Sequence, residues 1–364
     1  MPTQSSLAAV PRAWVEVDLD ALVRNARALE RHARTRLLPM VKADAYGLGA
    51  VPVATALERL DPIAFGVSSI AEGDELRGAG FTRPIVIFTP TLPRDLERVK
   101  RAGLTPSLAS NDGIQRWQAL GGGAWHLAIE TGMHRAGRDW QAIASLHDAI
   151  RACPPEGAFT HFHSAELDNG SLEEQERRFC AALEALPVRP KLLHTENSAA
   201  VVRRQPSLWN CVRPGVFLYG VGSGETAALQ PEPVVHLRAH IVELREVAAG
   251  DSVSYEAAWT APAPRTIATI AVGYGDGYRR HLSNVGRAIL RGAIAPVAGI
   301  VTMDMTMLDV TGLHAREGDV VTLLGREGDH VLSAETVAAW GKMSAYELLT
   351  GLRQRLPRVY TGEQ

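Results

Sequence analysis

With 364 residues and a net charge of −2, the chain is long enough to bury a large core and shows no electrostatic footprint for nucleic acid. Its opening residues, MPTQSSLAAVPRAW, lack the basic start and apolar core of a secretory signal, and no run approaches the roughly 20 apolar residues of a membrane span, so a cytoplasmic protein without membrane partners is expected. Cys153, Cys180 and Cys211 are odd in number and lack CxxC spacing, which argues against a disulfide framework or a structural zinc, and no metal is expected.

A short strand is predicted at 14–17, and a helix at 21–33 that Asp18 or Asp20 can cap. From about residue 37 to 216, eight short apolar runs alternate with segments of helical period. The runs are LLPMVKAD, PIAFGVSS, RPIVIFTP, LTPSLAS, WHLAIETG, GAFTHFHS, KLLHTENS and WNCVRPG. Helices are predicted between them at 50–60, 69–78, 94–102, 112–120, 139–152 and 172–186. Strand then helix, eight times over, predicts an N-terminal (β/α)8 TIM-type barrel. An open doubly wound sheet has the same period, and closure cannot be read from spacing.

After Gly220 the texture changes to alternating strands, VVHLRAHIVELREV, DSVSY, RTIATIAVGY, GRAILRGAIAPVAGIV, MTMLDV and DVVTLLG, joined by Gly and Asp turns. These predict a mostly β domain, with one helix at 333–343. The division expected is an N-terminal strand segment 1–17 able to pair with the β domain, a barrel over 18–225, and the β domain over 226–364.

The stretch PMVKADAYGLG carries the most chemical information. Lys42 ends a buried run and is followed by a phenol and two glycines. A lysine there either snorkels from a strand end or sits desolvated, with a lowered pKa and an amine able to condense with an aldehyde. In barrels of this kind reactive groups cluster at the C-terminal ends of the strands, and phosphate is often held after strands seven and eight. The runs place Lys42 after the first, Arg135 after the fifth, His161 and His163 after the sixth, His194, Asn197 and Ser198 after the seventh, and Arg213 and Gly215 after the eighth. Taken together, NSAA opening a helix and PG at 214–215 make an anion cradle; taken singly, they read as an ordinary cap and an ordinary turn.

The segments VKADAYGLG, THFHSAE, HTENSAA, VRPGVFLYG, SVSY, GYGDGY, VTMDM and SAYELLTGLRQRLPRVY, in this order, resemble the bacterial alanine racemases, which are fold-type III enzymes dependent on pyridoxal 5'-phosphate (PLP). The resemblance spans nearly the whole chain and implies interconversion of L- and D-alanine by two bases on opposite faces of the substrate. It makes Lys42 the Schiff-base lysine and one base, and Tyr255 the other, with a relay from Tyr255 through His161 to Arg213. It implies that Arg213 donates to the pyridine nitrogen and, being always protonated, leaves that nitrogen without a proton. Tyr46, Asn197, Ser198, the backbone at Gly215 and Val216, and Tyr346 are implied around the phosphate. Arg135 would contact the phenolic oxygen, Tyr274 the substrate entrance, and Met303 with Asp304 the substrate carboxylate. The family also implies a homodimer whose partner chain supplies Tyr255, Met303 and Asp304, and a role in peptidoglycan precursors or D-alanine catabolism. A broader amino-acid racemase, a fold-type III decarboxylase and a non-catalytic PLP carrier are the other readings.

The chain departs from the family pattern in places. Ala128 stands where many members carry a lysine that braces the cofactor arginine, Glu130 where aspartate is usual, and Glu256 after Tyr255 where glycine is typical. Leu48, Ile300 and Thr302 also differ from common residues. None removes a catalytic group, but the altered entrance and brace could admit side chains larger than methyl.

Overall fold

The structure is a computed structural model and describes residues 11–224 and 227–362. The first ten residues of the expected 1–17 segment, and the expected break between 225 and 226, lie outside the described residues. The chain forms two compact units, one over 19–232 and one combining the N-terminal segment through Asp18 with 233–362.

Strand β1 (Ala13–Asp18) opens the chain and belongs to the second of these units. The barrel unit then supplies β2 (Arg36–Leu37), β3 (Phe65–Val67), β4 (Ile85–Ile87), β5 (Thr105–Leu108), β6 (His126–Glu130), β7 (Arg138–Asp139), β8 (Gly157–Phe159), β9 (Leu192–His194) and β10 (Cys211–Val212). A continuous parallel sheet runs β3-β4-β5-β6-β8-β9, with β7 a short addition beside β6. Closure comes from three further links. β2 pairs in parallel with β10, Met40 bridges in parallel to Gly66, and the Arg213 amide donates to the Glu196 carbonyl at 2.9 Å. The eight strands therefore form a ring, as expected, and the open-sheet alternative falls. β3, β4, β5, β6 and β8 are buried at every position, which is why their sequences read as unbroken apolar runs rather than alternations.

The helices are α1 (Leu19–Ala33), α2 (Lys42–Gly47), α3 (Ala50–Glu58), α4 (Ile70–Gly78), α5 (Leu96–Arg101), α6 (Asn111–Ala119), α7 (His147–Ala152), α8 (Ser171–Glu184) and α9 (Ser198–Arg203). Ser69, Ser110 and Asn197 cap α4, α6 and α9 by accepting from the third amide of each. The helices predicted at 94–102 and 139–152 each start as a 3-10 turn, over Pro93–Asp95 and Trp140–Leu146. Pro93 at the first position fixes the tight entry in one case, and in the other the Asp139 carboxylate accepts from the Gln141 amide at 2.8 Å.

In the second unit, β11 (Val235–Val247) is the spine. Its first half pairs antiparallel with β1, Trp14 opposite Arg238, and its second half with a later strand, across an irregularity between Ile241 and Glu243. Then follow β12 (Ser252–Val253), β13 (Trp259–Thr260), β14 (Arg265–Ile270), β15 (Arg287–Leu290), β16 (Ala293–Pro296), β17 (Thr306–Asp309), β18 (Val320–Glu327), β19 (His330–Leu332) and β20 (Arg358–Thr361). The sheet order is β16-β15-β18-β11-β1-β20, so β1 lies between β11 and the last strand, parallel to the latter. The sequence predicts one helix at 333–343; the structure has two, α10 (Ala334–Trp340) and α11 (Ala345–Thr350). Ser344 accepts from the Glu347 amide at 3.1 Å and restarts the helix after the break at Gly341, a capping signal easily lost in a six-residue helix.

Candidate active site

Lys42 begins α2, which is a single turn of the opposite hand to an ordinary helix. Ala43, Asp44, Ala45 and Tyr46 have φ of 53°, 54°, 50° and 58°. Each costs roughly 1–2 kcal/mol relative to the right-handed form, so the turn persists only because its surroundings fix it. Tyr219 Oη donates to the Met40 carbonyl at 2.8 Å, and the Val41 amide donates to the Gly66 carbonyl at 2.9 Å. Asp44 Oδ1 accepts from the Ala50 amide at 2.7 Å and Glu72 Oε1 from the Ala43 amide at 2.9 Å. The Lys42 amine is held below its ordinary pKa, first by burial and then by the Arg135 guanidinium, with Arg213 adding to the effect and Glu72 opposing it. Of the two readings of Lys42, the desolvated one fits this environment.

Arg213 is 3% exposed and, among the described residues, faces no carboxylate within ion-pair distance. Nη1 donates to Nδ1 of His194 at 2.9 Å and to the His194 carbonyl; Nη2 donates to the carbonyls of Thr160 at 2.7 Å and Thr195 at 3.1 Å. The rings of Phe88 and Phe159 flank the guanidinium at 5.5 and 5.4 Å. Four of its five protons are thereby engaged, one of those on Nη2 being shared with Nδ1 of His161 at 3.5 Å, which leaves Nε–H as the donor for another acceptor. Burial pulls its pKa down to about 10, so it stays charged at neutral pH.

His161 lies 3.5 Å from Arg213 Nη2 through Nδ1, and burial together with Arg213, Arg135 and Lys42 pushes its pKa to about 3. It is neutral, and its proton rides on Nε2. The loop bearing it is clamped by Gln175 on α8, whose Nε2 donates to the His161 carbonyl at 3.0 Å and to Thr131 Oγ1 at 3.2 Å, while its Oε1 accepts from the His163 amide at 3.1 Å. His163 itself is exposed and bonds Ser164. Sequence reading missed Gln175, and also His126, whose Nδ1 lies 2.9 Å from Nε2 of His194.

The segments expected to cradle an anion come together. Ser198 Oγ accepts from the amides of Gly215 at 2.9 Å and Phe217 at 3.4 Å. A Cβ on Gly215 would lie 2.5 Å from Tyr46 Oη, so only glycine lets that hydroxyl pack against the backbone here. Asn197 acts as the cap of α9, its Oδ1 accepting from the Ala200 amide at 3.1 Å. Arg135 has an exposed side chain; its amide donates to Glu130 Oε2 at 3.3 Å, and Glu130 also accepts from the Gly132 amide. Ala128 is buried on β6 beside them.

The remaining expected residues belong to the β unit. Tyr255, 69% exposed, sits at the tip of the β12–β13 hairpin between three non-glycine residues of positive φ: Ser254 at 74°, Glu256 at 61° and Ala257 at 48°. Ser254 Oγ donates to the Ile300 carbonyl at 2.9 Å, Asn284 Nδ2 donates to the Ala258 carbonyl at 2.9 Å, and Glu256 pairs with Arg280 at 3.2 Å. The same segment, 299–303, holds the next turn, because the amides of Tyr274 and Gly275 donate to the carbonyls of Thr302 and Met303 at 2.9 and 2.8 Å. Tyr255, Tyr274, Met303 and Asp304 are therefore arrayed along one backbone. Asp276, fully buried, accepts from Arg12 at 2.7 Å and pairs with Arg355 at 3.2 Å, while Arg355 reaches Asp304 at 2.7 Å. The signal for Asp276 was an acid set between glycines in an otherwise apolar stretch. Tyr346 is on α11, half-exposed. Among the described residues no His, Cys, Asp or Glu side chains group so as to hold a metal ion, and no helix is long and apolar enough to cross a membrane.

Sequence models for the N-terminal and C-terminal domains of alanine racemase match residues 17–223 and 234–360. The chain is 38% identical to the alanine racemase of Geobacter sulfurreducens, over 95% of this chain and 96% of that protein, and 33% identical to that of a Nostoc species, over 96% and 95%. Among solved structures, alanine racemase of Clostridium difficile superposes with a TM-score of 0.90 at 28% identity, covering 97% of this chain and 96% of that one. The Bartonella henselae enzyme, solved with covalently bound pyridoxal phosphate, gives 0.89 at 29% identity, covering 97% and 100%. With both domain models matched in order and a closed barrel followed by a β unit, the chain belongs to the alanine racemase family.

Proposed function

We propose that this protein is a PLP-dependent racemase interconverting L- and D-alanine, with Lys42 and Tyr255 as its two bases. The observation that carries the reading is Lys42, a partly buried amine at a barrel strand end, biased toward its neutral form by desolvation and then by Arg135 and Arg213. The residues present fit PLP. Two guanidiniums, Arg135 and Arg213, face Lys42 against one carboxylate, Glu72, which suits an anionic ligand. Ser198, the Gly215 and Val216 backbone and Tyr46 suit a phosphate, Arg213 Nε–H suits a pyridine nitrogen, and Arg135 suits a phenolate oxygen.

PLP would be held through the Lys42 amine, and its chemistry there would be to acidify the Cα–H of an amino acid whose own amine displaces that lysine and so frees it. Lys42 Nζ takes or returns the Cα proton on one face, and Tyr255 Oη does so on the other. Neutral His161 accepts from Arg213 at Nδ1 and offers Nε2–H toward the phenol, keeping Tyr255 oriented and its proton exchangeable. Arg213 keeps its own proton, so it would leave the cofactor's ring nitrogen unprotonated and a weaker electron sink, which would favour prompt return of a proton to Cα. Met303 and Asp304 border the substrate carboxylate and Tyr274 the entrance. We take the barrel over 18–225 as the cofactor domain, and 226–364 with the 1–17 strand as the domain that supplies Tyr255 from the partner of a homodimer, working in the cytoplasm.

The test is Cα proton exchange. Purified protein with PLP is incubated in heavy water with a panel of L-amino acids. Deuterium entering alanine alone, with loss of optical rotation, is the expected result. Exchange across many side chains would mark a broader racemase, release of carbon dioxide a decarboxylase, and no exchange with any amino acid would overturn the reading.

A further inference from the structure

Ser69-Ile70-Ala71-Glu72 has the S-x-x-E spacing of a capping box at the start of α4. Half of the box is formed, with Ser69 Oγ accepting from the Glu72 amide at 3.2 Å. In the other half a glutamate ordinarily returns to the amide of the capping residue itself. Here it does not. Glu72 Oε2 accepts from the Ser68 amide at 2.6 Å, the Ser68 hydroxyl donates to both carboxylate oxygens at 3.0 and 3.1 Å, and Oε1 turns away from α4 to take the Ala43 amide at 2.9 Å.

We propose that Glu72 is a positioning residue for Lys42, its carboxylate diverted from the α4 cap to hold the left-handed lysine turn and to counter the two guanidiniums around the amine. The inference rests on the racemase reading for its purpose but not for its geometry. Ala43 is the first left-handed residue of the turn, so a fixed acceptor on its amide pins the turn where the strain begins. Lys42 is faced by Arg135 from the loop after β6, Arg213 from the end of β10, His161 from the loop after β8 and Glu72 from α4; on its own turn, Asp44 is spent on the Ala50 amide. His161 is neutral, which leaves Glu72 as the negative charge acting against two positive ones. It keeps the amine from becoming so weak a base that it cannot take a Cα proton.

The test compares wild type with Glu72→Gln, which keeps an acceptor for Ala43 but loses the charge and the acceptor for the Ser68 amide, and with Glu72→Ala, which loses the charge and both acceptors. Full-length protein freed of PLP is pulsed with acetic anhydride across a pH series, and acetylation at Lys42 is read by mass spectrometry. In Glu72→Gln the Lys42 titration midpoint should move to lower pH, with several-fold more labelling at a fixed neutral pH. Glu72→Ala should show the same shift and weaker PLP uptake. An unchanged midpoint in Glu72→Gln overturns the proposal, whether or not Glu72→Ala folds. If wild type takes up no PLP at Lys42, it is the racemase reading that fails, and the midpoint comparison still decides the role of Glu72.

Discussion

Arg213 Nη1 donates to Nδ1 of His194 at 2.9 Å, and this contact fixes the protons on two buried rings. A guanidinium only donates, so His194 Nδ1 is an acceptor and its proton lies on Nε2, from which it reaches Nδ1 of His126 at 2.9 Å. His126 must then carry its own proton on Nε2. Both rings are fully buried and neutral, because desolvation and the nearby guanidinium disfavour the imidazolium; His126 is pushed to about 3 and His194 well below its usual value.

That chain predicts a pH dependence of stability. Unfolded, each histidine titrates near pH 6.5, whereas His126 and His161 in the fold take a proton only near pH 3 and His194 also well below its usual value. Over that interval the unfolded state binds more protons, so stability is full above about pH 6.5 and falls as pH drops toward 3, by at most about 1.4 kcal/mol per pH unit for each histidine. Urea unfolding at pH 7 and pH 5 should show the loss. His126→Asn, whose amide oxygen can still accept from His194, should show a shallower slope, and an identical slope would remove His126 from the account.

Gly215→Ala tests the cradle. The added methyl would fall 2.5 Å from Tyr46 Oη, and Tyr46 is buried with its ring centroid 4.7 Å from that of Tyr219, so it cannot swing clear. PLP affinity should weaken about tenfold or more, which is about 1.4 kcal/mol, while the fold persists. Equilibrium titration of the PLP-free chain measures it, and wild-type affinity in the variant would show that phosphate binds elsewhere.

The barrel was legible because both faces of its strands are buried, which turns each strand into an apolar run and each loop into a visible interruption. Lys42, Arg213 and Ser198 stood out at those interruptions. What the sequence did not carry is conformation without composition. Nothing in Lys42-Ala-Asp-Ala-Tyr46 announces four left-handed residues in a row, since none is glycine. His126 and Gln175 were hidden for a related reason, in that their partners are 68 and at least 12 residues away. Closure was likewise beyond spacing, because it depends on the two-residue β2–β10 pairing, one bridge at Met40 and one amide at Arg213.

Glu256 offers a separation of two small effects. At φ of 61° a non-glycine residue costs roughly 1 kcal/mol, whereas its exposed pair with Arg280 contributes a few tenths at most. Glu256→Gly should therefore raise stability by about 0.5 to 1 kcal/mol in denaturant unfolding. If the strain instead serves to hold Tyr255, the same variant should lose turnover while KM for alanine stays near wild type. A variant both less stable and fully active would mean that the ion pair outweighs the backbone cost.

The proposed homodimer sets Tyr255 of one subunit against the partner's lysine, and mixing variants tests that sharing. Lys42→Ala and Tyr255→Ala chains would each be inactive as homodimers. In a mixed dimer with exchanged tyrosines, one site combines both substitutions and the other has neither. Random reassortment makes about half the dimers mixed, each with one of two sites intact, so about a quarter of wild-type activity should return. If lysine and tyrosine of the same chain form the site, every site in the mixture carries one substitution and mixing restores nothing. Co-refolding the two variants in equal amounts and assaying alanine racemisation distinguishes a quarter from zero.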